Sequence, residues 1–267
     1  IEISETTFSN IKEKMQRAYK NMVYDQAYRQ ASILYHQFNQ QIYFTEEEKS
    51  KEIETVTLKD VINYSNKVLY KNIFVQGSVY GNLLPMDVQK SMEEFIGTLH
   101  AKPLERKNFP ERKVAQITQN GTSIVLSKKL IINNSAFMQG FSFGLENPNR
   151  RGAALVLASI LESPYYAKMR TEQHLGYIVW SHMDQQEKNI YQNFIIQSGD
   201  YSADYLRDRS NEFIQAFRTE LDSINDAAIE THKQSVIDRK LEKPKTLTEA
   251  NGQFFYRAFE KNGDFDH

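Results

Sequence analysis

The 267-residue chain carries 33 basic and 34 acidic residues, and 40% of it is hydrophobic and 12% aromatic. That is ample material for a buried core, and the near-balanced charge provides no global field to attract nucleic acid or a membrane surface. The absence of cysteine excludes disulfides, thiolate metal sites and cysteine nucleophiles. The longest apolar runs, such as AALVLASIL at 153–161, fall far short of the roughly 20 residues that span a bilayer, so a soluble chain with no membrane partner is expected. Localisation stays open between periplasm and cytoplasm. The opening IEISETTFSN has no signal-like apolar region and the chain stops at KNGDFDH, which reads as a piece cut from a longer protein.

In SETTFSNIKEKMQRAYKNM the residues Phe8, Ile11, Met15, Ala18 and Met22 recur every three or four positions, which predicts an amphipathic helix capped by Ser4 or Thr6. The helical pattern continues through ASILYHQFNQ, and a shorter helix is expected at TEEEKSKEI. Another is expected at TLKDVINYSNKVLY, where Thr57 and Asp60 have the spacing of a capping box. NIFVQGSVYGN reads as a strand running into a glycine-containing loop, and PMDVQKSMEEFIGTLH as a helix with Pro85 in its first turn. Residues 100–113, HAKPLERKNFPERK, hold two prolines and five Lys or Arg and read as a linker.

Beyond it, VAQITQNGTSIVLSKK places Asn120-Gly121 between alternating apolar segments, a two-residue hairpin signal. SAFMQGFSFGL is expected to be a strand, and NPNRRGAALVLASILESPYYAKMRTEQ a helix whose apolar middle is buried on several faces. GYIVWSHMDQQEKNIYQNFIIQSG reads as two strands around a polar connection. Three helices follow at SADYLRDRSNEFIQAFRTELDSI, NDAAIETHKQSVIDRKLE and TLTEANGQFFYRAFEKNG. The pattern predicts an α+β fold in which helices cover one face of a mainly antiparallel sheet.

A zinc site on a helix needs two histidines four residues apart with a carboxylate beside them. His36, His100, His174, His182, His232 and His267 are never closer than the eight residues between His174 and His182, across an expected helix-to-strand change, so no metal is assigned to this chain. Gly77 and Gly81 lack the spacing and the lysine of a phosphate loop, and no GxSxG nucleophile elbow is present. The run Glu46, Glu47, Glu48 reads as a solvated helix start. DRKLEKPKT gathers Arg239, Lys240, Lys243 and Lys245 around Pro244, just past a helix end. There they either complement the helix dipole or form a polyanion-binding patch.

The stretch MRTEQHLGYIVWS sets Arg170 and Tyr177 at a change from helical to strand pattern. Arg170 could pair with Glu172 or Glu162 while Tyr177 packs half-buried. Alternatively, the five donors of an arginine and the hydroxyl of a tyrosine serve to hold a substrate backbone and a developing oxyanion.

MRTEQHLGYIVWS, with FIIQS behind it, RKLEKPKTL further on, and VTLKDVINY, SVYGN and HAKPL upstream, resembles the C-terminal half of M16-type zinc peptidases of the insulin-degrading enzyme and pitrilysin kind. The resemblance covers nearly the whole chain. It implies an M16-like fold in which residues 1–105 are the C-terminal part of a third domain and 106–267 most of a fourth. It also implies a non-catalytic half whose partner is an N-terminal half that carries zinc on a His-x-x-Glu-His motif, with peptide substrates enclosed between the two. By position, Arg170 and Tyr177 would be the substrate and transition-state contacts, and the run from Arg239 through Lys240, Lys243 and Lys245 would meet polyanions. Two positions depart from the pattern: Gln173-His174 stands where Glu-Gln is common, and Thr246 where a further lysine is familiar.

Overall fold

The computed structural model describes residues 3–69, 71–116, 121, 123–261 and 263–265. The chain divides into two compact units, residues 1–14, 52–111 and 242–267 in one and residues 15–51 and 112–241 in the other. Helices α1 (Glu5–Asn21) and α3 (Glu46–Thr55) each run through a division point. Ser4 caps α1, its hydroxyl accepting the Thr7 N–H at 3.1 Å.

In the first unit α4 (Leu58–Tyr64) begins with the expected capping box, Thr57 and Asp60 each bonding the other's backbone N–H. Lys12 satisfies carbonyls at the end of α3, its ammonium donating to Glu54 O at 3.0 Å and Val56 O at 2.7 Å. The strand expected over NIFVQGSVYGN is only two residues long: β1 (Asn72–Ile73) pairs in parallel with β2 (Lys102–Pro103). No other segment offers it a backbone ladder among the described residues. Phe74, Val75, Val79 and Tyr80 are accordingly 37–52% exposed. Side chains take over there: Phe74 lies 3.8 Å from Phe109 between ring centres, and Tyr80 stacks on Phe254 of α9 (Leu247–Phe255) at 5.3 Å. The Ser78 hydroxyl donates to Asn251 Oδ1 at 2.6 Å. Because β2 and a short 3-10 turn at Arg106–Asn108 lie in 100–113, the expected linker is partly structured. Helix α5 (Pro85–Leu99) opens with its proline in the first turn, where the missing N–H costs nothing.

The second unit is built on an antiparallel sheet of β3 (Ser135–Leu145), β4 (Ile178–Gln186) and β5 (Asn189–Ser198) in the order β3-β5-β4. All ten residues of β5 are buried. On one face Phe194 and Ile196 meet Ile160, Leu161 and Tyr165 of α6 (Pro148–Tyr166) and Leu206 and Phe217 of α7 (Ala203–Leu221).

The expectation that helices cover only one face is corrected here. Helix α2 (Ala27–Asn39) lies on the other, with the Tyr35 hydroxyl bonded to Asn193 Oδ1 at 3.3 Å and the Tyr28 ring edge-on to Trp180 at 5.3 Å. The reason is in NIYQNFIIQS, which has apolar residues at both parities: Tyr191 and Ile195, like Phe194 and Ile196, are at most 3% exposed and need cover on both sides.

The Asn120 end of the expected hairpin turn, with residues 117–119 and 122, lies outside the described residues. In the arm after it, residues 123–130 form no ladder among the described residues, and Ile124, Val125 and Leu126 are 51–72% exposed. Helix α6 is capped by Asn147, whose side chain accepts the Arg150 N–H at 2.9 Å, and residues 155–159 are all at least partly covered, as its apolar middle required.

Candidate functional site

The turn at Arg170 to Tyr177 follows from the end of α6. Pro164 has no N–H for the helical ladder, and past Tyr166 the chain widens into a π-helical stretch at Ala167–Glu172. Met169, fully buried, anchors this stretch to the core, and the Leu175 N–H returns to Met169 O at 2.9 Å. His174 takes a left-handed conformation, φ 51°, which histidine tolerates better than most residues. Gly176 follows because nothing larger fits: a Cβ there would lie 1.9 Å from the carbonyl oxygen of Gln197 and 2.8 Å from its carbon. The start of β4 is thereby pressed onto the end of β5.

This geometry brings Arg170 and Tyr177 together. An Arg170 guanidinium N–H donates to the Tyr177 carbonyl, and the guanidinium sits 5.3 Å from the centre of the Tyr166 ring. Glu172 pairs instead with Lys168 at 2.6 Å, and among the described residues Arg170 makes no ion pair. Of its two sequence-level alternatives, the salt bridge is therefore not formed.

The Tyr177 side chain is 49% exposed, yet its hydroxyl is held. It donates to Gln26 Oε1 at 2.9 Å and accepts from Gln197 Nε2. The same Nε2 donates to Gln26 Oε1 at 2.7 Å, and Gln197 Oε1 accepts the Tyr28 N–H at 2.8 Å. Gln197 is fully buried. Gln26, the residue before α2, is set by a turn in which Gln30 Nε2 donates to Val23 O at 3.1 Å and Asp25 O at 3.0 Å. Neither glutamine was singled out from sequence. A buried amide directly after the apolar Phe194, Ile195 and Ile196 is the signal that marks Gln197. The arrangement holds a half-exposed phenol between two amides, with a guanidinium fixing the backbone beneath it.

The basic residues divide differently. Arg239 and Lys240 end α8 (Asp226–Leu241) and line a cleft of about 270 Å³ with Ser159, Glu162, Ser181 and Met183. The hydroxyl of Ser159 also lies 3.0 Å from His232 Nδ1. Lys243 and Lys245 fall in the other unit, and Lys245 pairs with Glu242 at 2.8 Å. At the cleft, burial lowers the His182 imidazole below its ordinary value against the charge of Asp184, which raises it. Among the described residues no three His, Asp or Glu side chains are grouped to hold a metal ion.

A family model described as "PQQ synthase PqqF-like, C-terminal lobe domain 4" matches residues 156–255. Human insulin-degrading enzyme is 22% identical over 99% of this chain and 26% of its own length. The proposed zinc protease mug138 of Schizosaccharomyces pombe is 25% identical over 97% of this chain and 27% of its own. The chain is homologous to the C-terminal halves of M16 metalloproteases. It spans about a quarter of the length of these relatives. The fold is that of pitrilysin, whose crystal structure superposes with a TM-score of 0.80 at 20% identity, covering 99% of this chain and 28% of that one. The inactive domain of an M16 peptidase from Pseudomonas fluorescens superposes with a TM-score of 0.58 at 14% identity, over 98% of this chain and 61% of that one.

Proposed function

We propose that the chain is the C-terminal, zinc-free half of a zinc metalloendopeptidase that degrades peptides, inactive alone and completed by an N-terminal catalytic half that holds the metal. In this reading residues 1–105 are the end of a third M16-like domain and 106–267 most of a fourth, together forming part of a chamber wall. The observation that carries it is the half-exposed Tyr177 side chain, whose hydroxyl is fixed by two amides. A hydroxyl so placed can donate to a scissile carbonyl as charge develops on its oxygen. Arg170 acts beneath it, holding the Tyr177 backbone and offering its remaining N–H groups to a substrate main chain.

Tyr177→Phe in the full-length protein is the test. A fall of tenfold or more in kcat, about 1.4 kcal/mol of transition-state stabilisation, supports the peptidase. No change favours a catalytically silent M16-like scaffold or binding subunit. That second reading draws on the engagement of Arg170 by the Tyr177 carbonyl and the Tyr166 ring. We infer in addition that the basic run Arg239, Lys240, Lys243 and Lys245 meets polyanions, a role supported by the two cations in the last turn of α8 and weakened by the pairing of Lys245 with Glu242.

A further inference from the structure

Around Tyr177 the direction of every hydrogen bond is determined. The Tyr28 backbone N–H can only donate, so the atom of Gln197 that faces it at 2.8 Å is Oε1. Nε2, a donor only, must then face both the Tyr177 oxygen and Gln26 Oε1. A phenol has a single proton. With its oxygen already accepting from Gln197, that proton points to Gln26 Oε1, 2.9 Å away. Gln197 is fully buried and cannot turn to solvent, whereas the Tyr177 ring is half-exposed.

We propose that Gln197 and Gln26 form a latch that sets the donor direction of Tyr177. Gln197 occupies the acceptor side of the phenol and keeps its proton directed outward, and Gln26 holds that proton until a substrate carbonyl takes its place. When the carbonyl arrives, the O–H rotates from Gln26 to it while the bond from Gln197 stays. The second Nε2 hydrogen still satisfies Gln26 Oε1, so no buried acceptor is orphaned by the exchange. A bond accepted by the phenol oxygen also polarises the O–H and strengthens it as a donor. Both glutamines are positioning residues, and the latch rests on the reading of Tyr177 proposed above.

The experiment measures kcat and KM on a fluorogenic peptide with the full-length protein, using Gln197→Glu, Gln26→Leu, Tyr177→Phe and the double variant Tyr177→Phe with Gln197→Glu. Gln197→Glu keeps an acceptor for the Tyr28 N–H but removes the donor to Tyr177, so the phenol proton turns inward. The expected result is a fall in kcat of tenfold or more with KM within twofold. Gln26→Leu removes the competitor for the proton and is expected to raise kcat/KM, a sign that a merely structural role would not produce. The double variant should be no slower than Tyr177→Phe alone. If Tyr177→Phe costs tenfold but Gln197→Glu does not, or if the Gln197 loss persists in the phenylalanine background, the latch is overturned while the reading of Tyr177 survives. An unaffected Tyr177→Phe removes both. Should Gln197→Glu fail to fold, Gln26→Leu decides, and a lower kcat/KM in that folded variant overturns the proposal.

Discussion

Gly176→Ala is the most direct probe of how the turn is assembled. The backbone of Gly176 is not among the positive-φ positions, so alanine meets no conformational strain there and the whole cost is one of space. The added Cβ would lie 1.9 Å from Gln197 O. The closest ordinary approach of such a carbon to a carbonyl oxygen is about 3.3 Å, so the start of β4 has to withdraw from β5 by more than about 1 Å. The obstacle is backbone of the fully buried central strand and cannot step aside as a side-chain tip would. Overpacking of this kind costs about 1–3 kcal/mol, read as a lowered midpoint in guanidinium unfolding. The same withdrawal carries the Tyr177 hydroxyl away from Gln197, and a displacement near 1 Å lowers turnover of the full-length protein by about 10²-fold. Gly152→Ala in α6 is the control: nothing lies within 4 Å of its added Cβ, and alanine there gains up to about 1 kcal/mol of helix propensity. Gly176→Ala with an unchanged midpoint and turnover within twofold of the parent would refute the steric argument.

His182 should titrate below its ordinary value because burial disfavours its charged form. A base whose folded pKa is depressed contributes stability at pH above its unfolded value that is lost as pH falls through the folded one, so the contribution of His182 fades on acidification below about pH 6.5. Asp184→Asn removes the opposing charge and should move the NMR midpoint of the His182 ring further down; an upward movement would contradict the assignment. For the basic run, polyphosphate binding should weaken steeply as salt is raised and should be lost in a variant neutralised at Arg239, Lys240, Lys243 and Lys245. Binding indifferent to salt would remove that site.

The parts of the fold legible in sequence are those where a local pattern implies its own partner. The capping residues Thr57 and Asp60, the cap of α1 at Ser4, the β4–β5 hairpin and the apolar middle of α6 all follow from spacing. The apolar pattern over 72–82 did not tell how far another backbone was present to bond it, and the strand expected there ends at Ile73. The docking of α2 on the second face was legible only from the double-parity burial of β5. In the candidate site, Arg170 and Tyr177 stand seven residues apart in one quotable motif. Gln26 and Gln197 are separated by 171 residues and meet only through the fold. An amide at a strand end and one before a helix carry no pattern that links them.

The complete burial of β5 also sets a hierarchy of motion. Bonded on both edges and covered on both faces, this strand belongs to the part of the unit whose amides exchange with solvent last, whereas β4, among the described residues, has a neighbour on one side only and opens earlier. Gln197 sits on the slow strand and Tyr177 just ahead of the fast one. When the edge breathes, the phenol leaves and returns to an amide that has not moved, so each reclosing restores the same donor direction.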